Sequence, residues 1–96
     1  MYKSISASEL KGLIGRVKII DIRNRYLYNL GSIPSSVNIP SNFLLMYPDK
    51  YLKKDETYYI YCSQGMESSK VCAKLAKQGY DAVNVLGGYH DYVSSY

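Results

Sequence analysis

Short β-branched and aromatic runs alternate with helix-forming segments along this chain, and that alternation restricts its fold more than any other feature. Val17-Lys18-Ile19-Ile20-Asp21-Ile22 reads as a buried strand ending at Asp21. Thr57-Tyr58-Tyr59-Ile60-Tyr61-Cys62 is a second, β-branched or aromatic at every position but the last. Ala82-Val83-Asn84-Val85-Leu86 is a third, and Val37-Asn38-Ile39-Pro40 is a very short one stopped by Pro40. Between them, Ser6-Ala7-Ser8-Glu9 reads as a capping box opening a helix that ends near Gly12 or Gly15. A helix from Arg23 to Leu30 is closed by Gly31, and Ile33-Pro34-Ser35-Ser36 forms a turn. Ser41 is placed to cap a helix reaching about Met46, with a further helical turn from Pro48 to Leu52. Ser68 to Gln78 is the clearest helix: Val71, Cys72 and Leu75 share one face, Lys70, Lys74 and Lys77 lie elsewhere, and Gly79 suits the position after its end. Gly87-Gly88 turns the chain into a last helix from Tyr89 to Ser95. Strands alternating with helices predict an α/β fold: a mostly parallel sheet with helices on both faces, binding ligands beyond the carboxyl ends of its strands.

A chain of 96 residues builds one domain, residues 1–96, with room for one sheet and a few helices. The formal net charge of +4 is spread over scattered basic residues with no Lys/Arg cluster, which argues for a soluble surface and against a nucleic-acid partner. Cys62 and Cys72 do not form a disulfide framework and fit a reduced chain. The amino terminus lacks an apolar stretch of signal-peptide length, and no run approaches a membrane span. The expectation is a soluble cytoplasmic domain without a membrane partner. His90 is the single histidine and has no neighbouring ligand in sequence, so neither a metal site nor a cofactor is expected.

The chemistry concentrates in Cys62-Ser63-Gln64-Gly65-Met66-Glu67-Ser68, which joins a strand end to a helix start. The first amides of a helix have no intrahelical acceptors and, with the helix dipole, favour an anion. A cysteine sulfur held above such amides is favoured as the thiolate. Gly65 lets the loop turn without a Cβ clash. The product is an activated sulfur in an anion-binding cradle, suited to attack on sulfur or phosphorus.

At this point the chain resembles the single-domain rhodaneses. Asp21-Ile22-Arg23 is similar to the family's D-x-R signature, and Tyr28 to Pro40 to its aromatic-x-x-G-H-I-P-G-A-x-N-I-P segment. Tyr61 to Ser68 is similar to the Y-C-x-x-G-x-R-S loop, and Gly79-Tyr80 with Val83 to Tyr89 to the G-Y-x-x-V-x-x-L-x-G-G-aromatic ending. The resemblance implies a five-stranded parallel sheet, and a Cys62 that accepts a sulfane sulfur as a persulfide and passes it to a thiophilic acceptor. Ser63, Gln64, Gly65, Met66, Glu67 and Ser68 would cradle the outer sulfur. The implied partners are a small anionic sulfur donor and a thiol or protein acceptor, with the chain a monomer or weak dimer. Relatives acting on phosphate have a loop one residue longer with an Arg, so the span from Cys62 to Glu67 argues against a phosphatase or arsenate reductase.

Several residues depart from the family pattern. Glu67 replaces the frequent Arg, and a carboxylate about 4 Å from a thiolate in a wet site repels it by about 1 kcal/mol. Glu67 is therefore either an acid complementing the helix dipole or a selector of donor. The second role motivates an alternative function: a sulfur carrier loaded by protein persulfide, or a redox-sensing module. Ser32, Ser35 and Ser36 replace His, Gly and Ala, Leu27 stands where an acid is common, and all bear on stability. Cys72 reads as core, with a resolving role for Cys62 as the alternative. Asp21 and Arg23 are either a surface ion pair or, as the resemblance implies, structural support, with Asp21 tying down a neighbouring loop and Arg23 a candidate anion contact. Tyr58, Tyr59 and Tyr61 read as strand and core residues, and Tyr28 and Tyr89 as candidates for the pocket rim.

Overall fold

The computed structural model describes residues 2–95, so Met1 and Tyr96, the outermost residues of the predicted domain, lie outside the described residues. The strands are β1 (Lys3–Ser6), β2 (Lys18–Asp21), β3 (Val37–Asn38), β4 (Thr57–Tyr61) and β5 (Asp81–Leu86). They form one sheet in the order β1-β5-β4-β2-β3, with every pairing parallel. The helices are α1 (Ala7–Lys11), α2 (Arg25–Leu30), α3 (Ser41–Met46), α4 (Pro48–Tyr51), α5 (Met66–Lys77) and α6 (Gly88–Ser94).

A parallel sheet is stable only when both faces are covered, which is why β4 and β5 read as continuous apolar runs. On one face Ile20, Tyr58, Ile60 and Ala82 pack against Leu44, Leu52, Val71, Cys72 and Leu75 from the α3, α4 and α5 side. On the other, Ile19, Tyr61 and Val85 pack against Ala7, Leu10 and Tyr92 from α1 and α6. Each large side chain so buried contributes about 1.5–3 kcal/mol.

Local chemistry sets the helix ends. The capping box is present: Glu9 N–H donates to Ser6 Oγ at 3.0 Å and Ser6 N–H to Glu9 Oε1 at 3.1 Å. That pairing holds the Glu9 carboxyl below its usual value. α5 closes as expected at Gly79, with Gly79 N–H bonded to Ala76 O and Tyr80 N–H to Leu75 O, the paired bonds of a Schellman end.

Most boundaries shift by a residue or two, and the differences that bear on the site are at β1, α2, α3 and α5. β1 carries no strand signal, because only Ile5 of Lys3–Ser6 is apolar, yet it pairs with β5 at the sheet edge. α2 starts at Arg25, not Arg23, because Asn24 is its cap and Arg23 is held by Asp21. α3 is preceded by Pro40; Ser41 is its first residue and gives its hydroxyl to Glu67 Oε2 at 3.1 Å. α5 begins at Met66, two residues before Ser68, because Gly65 takes the preceding position with φ of 91°.

The chain leaves β2 outward to β3 and leaves β4 in the opposite direction to β5. The sheet's switch point therefore lies between β2 and β4, where crevices form in open α/β sheets. Cys62 follows β4 there. Among the described residues no helix is long and apolar enough to cross a membrane.

Candidate active site

Cys62 Sγ sits just past β4, under the first turn of α5. It accepts hydrogen bonds from Gly65 N–H at 3.1 Å and Ser68 N–H at 3.3 Å, and lies 3.3 Å from Ser68 Oγ. The side chain is buried, at 4% exposure, at the edge of the core cluster on that face, where the residue also lines a pocket. A pocket of about 170 Å³ opens over it, lined by Cys62, Ser63, Gln64, Met66 and Glu67. Of the predicted loop residues, Gly65 and Ser68 hold the sulfur, while Ser63, Gln64, Met66 and Glu67 form the wall and mouth.

Two glycines make this approach available. Gly65 has φ of 91°, and a Cβ on it would come within 2.8 Å of Gly87 N. A Cβ on Gly88 would overlap the Cys62 carbonyl oxygen and come within 2.8 Å of Ser63 O. With that space open, the first turn of α6 fastens the loop: Tyr89 N–H donates to Cys62 O and His90 N–H to Ser63 O, both at 2.9 Å.

Asp21 and Arg23 form a buried pair, which corrects the surface reading. Asp21 is fully buried and Arg23 only 7% exposed. Asp21 accepts from Arg23 N–H at 2.9 Å, Nε at 3.1 Å and Nη2 at 2.7 Å, and Nη2 also reaches Gly31 O at 2.7 Å. Burial works against the guanidinium charge, but the hydrogen bonds and charge of Asp21 offset it, leaving Arg23 above its usual value. The guanidinium lies 4.4 Å from the Tyr89 ring centroid and 5.6 Å from that of Tyr61. Tyr89 thus covers the ion pair, and Tyr28 gives its hydroxyl to Ser36 O at 2.7 Å. The pair bridges the end of β2 to the end of α2. Arg23 also borders a second groove, of about 290 Å³, with Leu27, Ser41, Ser63 and Glu67. Glu67, in the first turn of α5, faces both openings and ties α5 to α3 through Ser41. A groove of about 430 Å³ elsewhere opens at the amino ends of β2 and β4, among Lys18, Ile20, Val37, Tyr51 and Tyr58, away from the sulfur.

The sequence reading missed Asn84. It stands within an apolar strand, yet its side chain is buried and hydrogen-bonded to Ser68 Oγ at 2.5 Å and Gly65 O at 3.4 Å. Its one signal is the polar amide itself amid Ala82, Val83 and Val85. Cys72, by contrast, is core as expected: it is fully buried, and burial followed by the nearby Cys62 pushes its thiol up to about 12.

The rhodanese-like domain model matches residues 6–95. The Bacillus subtilis protein YtwF is 37% identical over 91 residues, covering 90% of this chain and 85% of that protein. A tRNA sulfurtransferase of Thermoplasma acidophilum is 36% identical over 74 residues, covering 76% of this chain but 15% of that protein. The crystal structure of a rhodanese-like domain protein from Staphylococcus aureus superposes with a TM-score of 0.82 at 39% identity, over 94% of this chain and 90% of that one. The chain therefore belongs to the rhodanese-like domain family, as the motifs implied, and has that family's five-stranded α/β fold.

Proposed function

We propose that this domain is a sulfurtransferase in which Cys62 is the nucleophile. The observation that carries this reading is the pair of main-chain amides, Gly65 N–H at 3.1 Å and Ser68 N–H at 3.3 Å, aimed at a sulfur beneath an open pocket. Donors so aimed stabilise negative charge on sulfur. With thiosulfate, the Cys62 thiolate attacks the sulfane sulfur, the S–S bond to the sulfonate breaks, and sulfite leaves with its electron pair. Cys62 then carries a persulfide anion. A thiophilic acceptor, cyanide or a thiolate, takes the outer sulfur and returns the Cys62 thiolate. That one similar protein is a tRNA sulfurtransferase supports sulfur as the transferred group. Asp21 and Arg23 act as structural support for the β2 side of the crevice.

The test is thiocyanate production from thiosulfate and cyanide. Cys62→Ser is expected to reduce it to background; production unchanged by that substitution rules the mechanism out. A second reading follows from Glu67: among the described residues no cationic side chain lines the pocket over Cys62, and a carboxylate stands at its mouth. A dianionic donor is disfavoured there, so a protein persulfide or polysulfide would load Cys62 faster than thiosulfate. Loading rates for the two donor classes, followed by intact-protein mass, decide between them.

A further inference from the structure

We propose that Asn84 is a positioning residue for the Cys62 sulfur, acting through the single hydroxyl proton of Ser68. Ile60 pairs with Asn84 across β4 and β5, and Cys62 lies two residues beyond Ile60 on the same face. The amide of Asn84 therefore reaches the underside of the loop. It grips Gly65 and Ser68, the two residues whose main-chain amides donate to Cys62 Sγ. A polar side chain buried at 2% exposure in a central strand is disfavoured unless its groups are bonded, and here both ends of the amide are.

The bonding directions assign the proton. The Asn84 nitrogen donates to Gly65 O, so its oxygen faces Ser68, and an amide oxygen only accepts. Ser68 therefore gives its proton to Asn84 and turns its lone pairs toward Cys62, where the thiol hydrogen donates to them. This is the arrangement of the neutral thiol. When the sulfur becomes charged, the Ser68 hydroxyl rotates and supplies a third donor beside the two amides, leaving Asn84 Oδ1. Asn84 thus competes with the sulfur for one proton. Its 2.5 Å bond to Ser68 outweighs its 3.4 Å contact with Gly65, so the competition dominates over support of the loop. The other ionisable groups near the sulfur are Cys72, buried on α5, and Glu67 at the pocket mouth; Arg23, paired with Asp21, lies across Ser63.

The inference rests on Cys62 being the reacting sulfur, and its test reads Cys62 alkylation by iodoacetamide across pH, located by peptide mass. Asn84→Leu is expected to lower the pH of half-maximal rate, because the freed Ser68 proton turns to the sulfur. Ser68→Ala is expected to raise it, and the double variant to coincide with Ser68→Ala. An Asn84→Leu profile that superimposes on wild type, or that shifts equally in the Ser68→Ala background, overturns the proposal. In the unaltered protein, the Asn84 side-chain amide resonances are expected to move with the midpoint of Cys62 alkylation; resonances that stay fixed through it overturn the proposal without any variant. These outcomes are independent of persulfide loading, so failure of sulfur transfer and failure of the Asn84 role are separately visible.

Discussion

Cys62 and Cys72 lie ten residues apart, on the same face of the sheet, and both are buried, yet their surroundings differ in kind. Cys62 stands before the first turn of α5, where amides without helical partners point at it and a pocket opens above. Cys72 stands in the middle of α5 among Val71, Leu75 and the sheet, and burial pushes its thiol up to about 12. Burial alone therefore does not distinguish the two. On the proposed reading, the difference is whether the same helix offers the sulfur its end or its side.

The sharpest way to break this contrast is to remove the space that lets the loop sit where it does. Gly88→Ala places a methyl group against the Cys62 and Ser63 carbonyls in rigid backbone, and is expected to cost more than about 2 kcal/mol and to abolish selective alkylation of Cys62. Circular dichroism melts and alkylation mapping check both effects. Retained selectivity would show that α6 does not hold the loop.

Alkaline pH probes the other cysteine. Its folded value lies above the unfolded one, so the corresponding stability is fully present below about pH 9 and is lost as pH rises toward about 12, while the unfolded thiol ionises first. Tyr61, also pushed up by burial, adds to the loss at the upper end. Cys72→Ala is expected to lose about 1 kcal/mol at neutral pH but to flatten the decline above pH 9, as measured by denaturant unfolding across that range. An unchanged slope contradicts the placement of Cys72 in the core.

Much of this contrast was legible in the residues. The β4 run, the helical face of Val71, Cys72 and Leu75, and the polar loop between them suffice to separate the two cysteines. The capping box and the end at Gly79 follow from local hydrogen-bonding chemistry, which sequence displays directly. What was hidden depends on long-range pairing. Lys3–Ser6 is a strand only because β5 offers it an edge, and Asn84 matters only because register sets it beneath Ser68. The Asp21–Arg23 pair is buried because Tyr61 and Tyr89, far along the chain, close over it. Ser41 lost its expected cap because the helix starts one residue earlier: Pro40 takes the cap position and Ser41, as the first helical residue, gives its hydroxyl to Glu67.

A smaller effect sharpens the picture of the Cys62 mouth. Glu67→Arg reverses a charge there and frees Ser41, and is expected to raise kcat/KM for thiosulfate by roughly tenfold, the sum of about 1 kcal/mol lost repulsion and a similar attraction reduced by solvent. Steady-state kinetics at low salt checks it; no gain would leave Glu67 as an acid that serves the helix end alone. The smallest expected change lies outside both cysteine environments. Ser35 holds φ of 70° where the family motif has Gly, so Ser35→Gly is expected to stabilise the fold by about 1 kcal/mol without altering the relative reactivity of the two cysteines. Thermal melts and alkylation mapping read both quantities, and a changed ratio would tie the β3 turn to the site.

The central claim is that the helix end makes Cys62 the sulfur that carries cargo. Incubation with a polysulfide or a protein persulfide, followed by intact mass and peptide mapping under non-reducing conditions, tests it directly. One added sulfur on Cys62, none on Cys72 and none in Cys62→Ser is the predicted result. Sulfur added to Cys72, or none added to Cys62 with any donor, would contradict it.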